Sequence, residues 1–164
     1  MRIKLLVFFA AIILAGTAYW LITPLFVTRE VNEAREEIFT YSRATPPEAA
    51  PELLSLAQGT FSGLAGHRAE GTATLIQSGG KYFIRFEENF YVTNGPDVFV
   101  HLGKNGKYAP EAQLGPLKGN LGGQNYEIPS HIDPALYNEV WVWCRAFSVP
   151  FGKALLTTST TERG

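Results

Sequence analysis

An all-β domain, an antiparallel β-sandwich or barrel behind one N-terminal transmembrane helix and a short helical stalk, follows from three features of this 164-residue sequence. The first 27 residues hold a long uncharged apolar run. The last two thirds read as short alternating strands broken by glycine-rich turns. Sixteen glycines and ten prolines accompany them, and no long helical pattern lies beyond the anchor.

The anchor comes first. From Leu5 to Val27 there is no charge, and Leu5 to Leu14 is apolar without interruption. As a helix this run reaches roughly 34 Å, enough for a hydrocarbon core of about 30 Å. Arg2 and Lys4 precede it. Short positive flanks stay cytoplasmic, which predicts an exported C-terminal part and an anchor domain over residues 1–28. Tyr19 and Trp20 suit the far interface. A cleaved signal with Gly16-Thr17-Ala18 as its small-residue site is the alternative, and it would release the domain as a secreted protein. Thr17 stands where a lipoprotein signal would need cysteine, so no lipid anchor is expected.

Residues 29–52 are the expected juxtamembrane helix and linker. Val31, Ala34, Ile38 and Tyr41 fall on one helical stripe. The segment from Arg43 to Glu52 then lacks large apolar groups and contains Pro46, Pro47 and Pro51, which marks a semi-rigid spacer. Residues 53–164 form the expected globular domain, long enough for one modest core. Gly71–Ile76 and Lys81–Phe86 flank Gln77-Ser78-Gly79-Gly80, a hairpin signal. Tyr82, Ile84 and Phe86 share one face, while Lys81, Phe83 and Arg85 share the other. Asn94-Gly95-Pro96 turns the chain into Asp97–Leu102, where Val98, Val100 and Leu102 point inward and His101 outward into solvent. Further strands are expected at 125–128, 139–144 and 154–158.

Composition removes several function classes. Hydrophobic residues make up 46% and charged residues 18%, which excludes a disordered chain. A formal charge of −1 gives no basic field, so nucleic acid is not an expected partner. One cysteine, Cys144, permits no internal disulfide and no multi-cysteine metal centre. Met1 is the sole methionine, so methionine axial ligation of haem is excluded. No phosphate-cradling glycine loop or nucleophile elbow occurs. Glu87-Glu88 reads as a solvated strand end rather than an acid–base couple. There is no case for a hydrolase.

Four ordered blocks carry a family resemblance. They are Gly59-Thr60-Phe61 with His67 to Ala73, then Phe86 to Phe90 with Gly95 to Val100, then Leu114 to Gly119 with Gly123 to Pro129. The last is Tyr137 with Val140 to Cys144 and Phe147 to Ala154. In this order they resemble the DM-thirteen domain, a small extracellular β-rich family labelled as electron transfer, over roughly Gln58 to Leu156. The resemblance implies a β domain and an accessory role in electron transfer beside DOMON and cytochrome b-type modules. It also places redox weight on one cysteine, here Cys144.

Alternation puts Cys144 on the face of Val140 and Val142, opposite Trp141 and Trp143. A small buried hydrophobe is the bland reading of that position, and a redox or ligand role the functional one. Arg145 follows, but strand neighbours point to opposite faces, which weakens its help to a thiolate. His67, Trp143 and Asp97 are secondary candidates, His67 and Asp97 because they stand in the resembling blocks. Trp143 with Trp141 is a core-packing or an exposed-platform pair. His67, His101 and His131 have no metal-site spacing among them, and His131 reads as a turn cap. The sequence specifies no metal and no cofactor. The expected partners are the membrane, crossed once, and a redox or other membrane-associated protein. A non-redox ligand- or protein-binding module at the outer face is the alternative.

Overall fold

The structure is a computed structural model that describes residues 2–41 and 52–158. Helix α1 (Arg2–Phe26) holds the apolar run, with no part of its Ile3–Trp20 window buried and a mean hydropathy of 1.9 there. It is long and apolar enough to cross a membrane.

Among the described residues eleven strands follow: β1 (Leu54–Gly63), β2 (Ala69–Glu70), β3 (Thr72–Ser78), β4 (Lys81–Phe86), β5 (Tyr91–Val92) and β6 (Val98–Lys104). Then come β7 (Lys107–Pro116), β8 (Gln124–Ile128), β9 (Glu139–Cys144), β10 (Val149–Leu155) and β11 (Thr157–Thr158). Eight of them join in the order β7-β6-β9-β10-β1-β3-β4-β8, with β11 beside β1, and every pairing in this sheet is antiparallel. The sheet curls until its edges approach, where the Tyr126 hydroxyl on β8 accepts the N–H of Lys118, just after β7, at 3.0 Å. Of the two all-β alternatives, the molecule is the nearly closed barrel.

Residue alternation builds the interior. Ala57, Phe61, Ala73, Ile84, Phe86, Val100, Val140, Val142 and Phe151 belong to one buried cluster. Its aromatic centre is Phe61, Phe86 and Phe90, with Phe61 edge-on to Phe86 at 4.9 Å and to Phe90 at 5.1 Å. The hairpin from β3 to β4 forms with Gly79 and Gly80 at positive φ, as its sequence demands. Gly59 has the Leu155 carbonyl where a Cβ would stand, so only glycine lets β1 lie this close to the chain after β10.

The stalk differs from the expected helix. Its helical part is a 3₁₀ turn at Arg35–Glu37 followed by α2 (Ile38–Tyr41). Residues before Arg35 are extended and attach to the barrel: Val31 N–H donates to Leu121 O at 2.9 Å and Glu33 N–H to Gly123 O at 3.0 Å. Gly119 and Gly122 make room, each with Val31 where a Cβ would be. Backbone bonds to a waiting strand edge outweigh a weak local helical preference. Ile38 then lies wholly buried on Ile76 and Phe83, a small second core outside the barrel. The expected spacer lies outside the described residues except for Glu52.

Candidate functional site

Cys144 ends β9 and points inward, as its alternation with Val140 and Val142 requires. It is 0% exposed, and its cross-strand neighbours are Val98 on β6 and Val149 on β10. The thiol therefore belongs to the apolar interior. Arg145 turns the other way. Its guanidinium meets Asp97 at 2.9 and 3.2 Å and covers the Phe99 ring at 4.3 Å, while its N–H donates to the Asp97 carbonyl. Asp97 is thus the partner of Arg145, and neither group reaches the thiol's face of the sheet.

The outer face of β9 carries Glu139, Trp141 and Trp143. Trp143 stacks on Tyr108 with ring centres 4.1 Å apart and planes inclined by 27°. Trp141 is 5% exposed, donates from Nε1 to Glu139 at 3.0 Å and lies beneath Lys153 Nζ at 5.1 Å. Gly103 makes this possible, because a Cβ there would strike the Trp141 ring. The buried Glu139 carboxylate also accepts the Gly106 N–H at 3.1 Å and Lys153 Nζ at 3.1 Å. It pins the β6–β7 hairpin across β9 and packs Trp141, while Trp143 stays half-buried against Tyr108.

His101 corrects the expectation of a solvated side chain. It points outward, but the same hairpin covers it to 5% exposure. Its ring lies edge-on to Tyr108 at 5.1 Å, with Nδ1 3.3 Å from the Ala109 carbonyl. Burial pushes its pKa below the usual imidazole value, and the Ala109 carbonyl offsets part of that. His101 and Cys144 occupy opposite faces of one sheet and cannot share a ligand.

His67 is half-buried and stacked on Phe151 at 3.7 Å, near the same end of the barrel as Asp97. His131 is exposed. The turn is capped by Asp133 instead, whose Oδ1 accepts the Ala135 N–H at 3.0 Å, because a carboxylate two residues upstream reaches an unpaired amide better than an imidazole does. Among the described residues, no three histidine, cysteine, aspartate or glutamate side chains converge as a metal-binding group.

The densest polar cluster was not visible in the sequence. Arg85 on β4 is 0% exposed and donates to Glu87 at 2.9 Å, Asn125 at 2.8 Å and the Glu33 carbonyl at 3.0 Å, as well as to Glu88. Glu87 also accepts the Thr74 hydroxyl at 2.6 Å, so it is an ion-pair partner and not a solvated strand end. The Glu33 carboxylate accepts Lys118 Nζ at 2.8 Å and the Asn125 N–H at 2.7 Å. Glu88 is held below the usual carboxylate range, first by its own backbone N–H and then by Arg85, against the effect of its partial burial. Every member of the cluster has partners, so it serves to bind the stalk to the barrel.

A groove of about 420 Å³ opens where α1 leaves for the barrel, lined by Val27, Arg29, Asn94, Asp97, Phe99 and Leu117 among others. No curated protein and no solved structure matches the chain. The family model described as Electron transfer DM13 matches residues 60–156, more than half of the sequence and all of β2 to β10. Its match runs through the inward Cys144 and both tryptophans of β9, and on that coverage the chain belongs to the Electron transfer DM13 family.

Proposed function

We propose that this chain is a membrane-anchored, extracytoplasmic accessory module in electron transfer, which holds its barrel beside a redox partner rather than carrying electrons on an exposed thiol. The observation that carries this reading is the joint between anchor and barrel. Glu33, Lys118, Arg85 and Asn125 bind the segment after α1 to the barrel, which holds the domain within a few residues of its anchor. Family membership supports the electron-transfer setting. Arg2 and Lys4 in the first turn of α1, ahead of its uncharged run, support an inside N-terminus.

A second reading gives the chemistry to Cys144. It is the only cysteine, so a two-electron step would need a partner's disulfide. The Cys144 thiolate would attack one partner sulfur, form a mixed disulfide and release the other partner sulfur as a thiolate. Complete burial opposes this, since attack needs an accessible thiolate.

Cells with the full chain, without it, and with Cys144→Ala separate these readings through the reduction level of their membrane cytochromes and quinones. Positioning requires that deletion shift the level and that Cys144→Ala restore it. A thiol mechanism makes Cys144→Ala behave as the deletion. No shift on deletion overturns both and leaves a non-redox binding module. Protease added to right-side-out vesicles should digest the domain, and protection until lysis would reverse the orientation.

A further inference from the structure

We infer that the barrel end bearing the β9–β10 hairpin rests in the headgroup layer of the bilayer that α1 crosses, with Phe147 as the inserted side chain. The inference rests on the anchored reading and adds a surface to it. Topology brings three turns to this end. Val98 pairs with Cys144, so the turn 145–148 stands beside the turn 94–97, and Arg145 joins them through Asp97. Gly63 pairs with Gly152 and Thr93 N–H donates to the Arg68 carbonyl, which adds the turn 64–68.

The anchor arrives at this same end. Thr23 from α1 and Val27 just after it line the groove with Asn94 and Asp97, and Arg29 N–H donates to the Asn120 side-chain carbonyl at 2.7 Å. Whatever bilayer α1 crosses therefore lies against these turns.

The tips have the chemistry of an interfacial surface. Phe147 is 57% exposed although the fold has an interior to hide it in, and Ser148 at φ 52° makes the tight turn that projects it. Ala65, Gly66 and Ala146 beside it are small, exposed and uncharged. Arg68 and Arg145 flank the tips with exposed guanidiniums, each paired with a carboxylate, Glu70 at 2.6 Å and Asp97 at 2.9 Å, and each keeping N–H groups open to a lipid phosphate. An aromatic ring at headgroup level with arginines around it is how proteins sit in that layer. The opposite end offers a control: Leu136 is 59% exposed there, in the loop whose Asn138 N–H donates to Gly103 at the far end of β6.

The test uses the full chain in vesicles of phosphatidylcholine with a minority of phosphatidylglycerol. Phe147→Cys and Leu136→Cys are each labelled with an environment-sensitive dye, with Cys144 left in place and again with Cys144→Ala. The expected result is a blue-shifted dye at 147, quenched several-fold more by shallow spin-labelled lipids than the dye at 136. Vesicle flotation with equal, water-like signals at both positions overturns the inference and leaves the anchor intact. Failure to float overturns the anchored reading and the inference together. A shift at 147 that fades as lipid dilutes the protein means contact between copies of the chain, and also overturns it.

Discussion

The sharpest consequence of the fold concerns how fast Cys144 can react. Its thiol is 0% exposed, and β9 is paired along its length with β6 on one side and β10 on the other. Freeing the sulfur means parting a central strand from both neighbours, an opening close in free energy to global unfolding. A domain of ordinary stability unfolds at a cost of about 5–15 kcal/mol. At about 1.4 kcal/mol per tenfold, even the low end slows modification by about 10³–10⁴ relative to the unfolded chain. The assay follows a thiol reagent reacting with the full chain in detergent micelles, referenced to the same chain in guanidinium chloride. Companion substitutions read the surroundings. Cys144→Ala should cost about 1 kcal/mol, the loss of one methyl-sized group from a packed core. Cys144→Ser should cost about 1–3 kcal/mol, because its hydroxyl would enter an apolar interior. A native rate within tenfold of the unfolded rate, or a serine variant as stable as the alanine one, would refute the placement of the thiol in a sealed core. Either result would revive thiol chemistry.

Three further outcomes follow from the polar groups. Arg85→Ala strands the buried end of Glu87 and should destabilise by about 3–5 kcal/mol in chemical denaturation, while Arg85→Met with Glu87→Leu recovers part of the loss. Lys118→Ala removes the ammonium from Glu33; the pair is partly exposed, so the cost is only about 1 kcal/mol, but amide exchange of residues 31–33 should quicken selectively. His101 has a native pKa below its unfolded value, so on acidification below about 6.5 the unfolded chain takes up a proton that the folded one refuses. Stability should therefore fall as pH drops through that window, and His101→Gln should flatten that part of the profile in urea titrations at pH 7 and pH 5.

What the sequence reveals here depends on how local the cause is. The β3–β4 hairpin, the inward stripe of β6 and the inward turn of Cys144 follow from alternation and turn glycines, which are read within a few residues. β1 and β7 escape such a reading. β1 turns Ala57 and Gly59 inward, Gly59 because the Leu155 carbonyl leaves no room for a Cβ, and β7 carries Pro110 and Pro116, tolerated because it is an edge strand. His101 has an outward position that alternation predicts, but its cover comes from a hairpin whose path no local pattern fixes. Arg85 meets Asn125 and Glu33 from 40 and 52 residues away. The stripe of Val31, Ala34 and Ile38 fits a helix in isolation, and only the edge at Leu121–Gly123 makes its first half extended.

The short passage from anchor to barrel sets a working height. From Phe26, the last residue of α1, to the Glu30–Leu121 bridge the chain takes four steps, at most about 14 Å when fully extended. β6 then carries the molecule from its near end to the β6–β7 hairpin over seven residues, about 24 Å. Everything this strand can present thus lies within about 40 Å of the end of α1. With α1 in a bilayer as proposed, encounters become a two-dimensional search among neighbours in the same sheet of lipid, at the high effective concentration that tethering confers. A partner whose docking face stands above that band is out of reach, however complementary its surface.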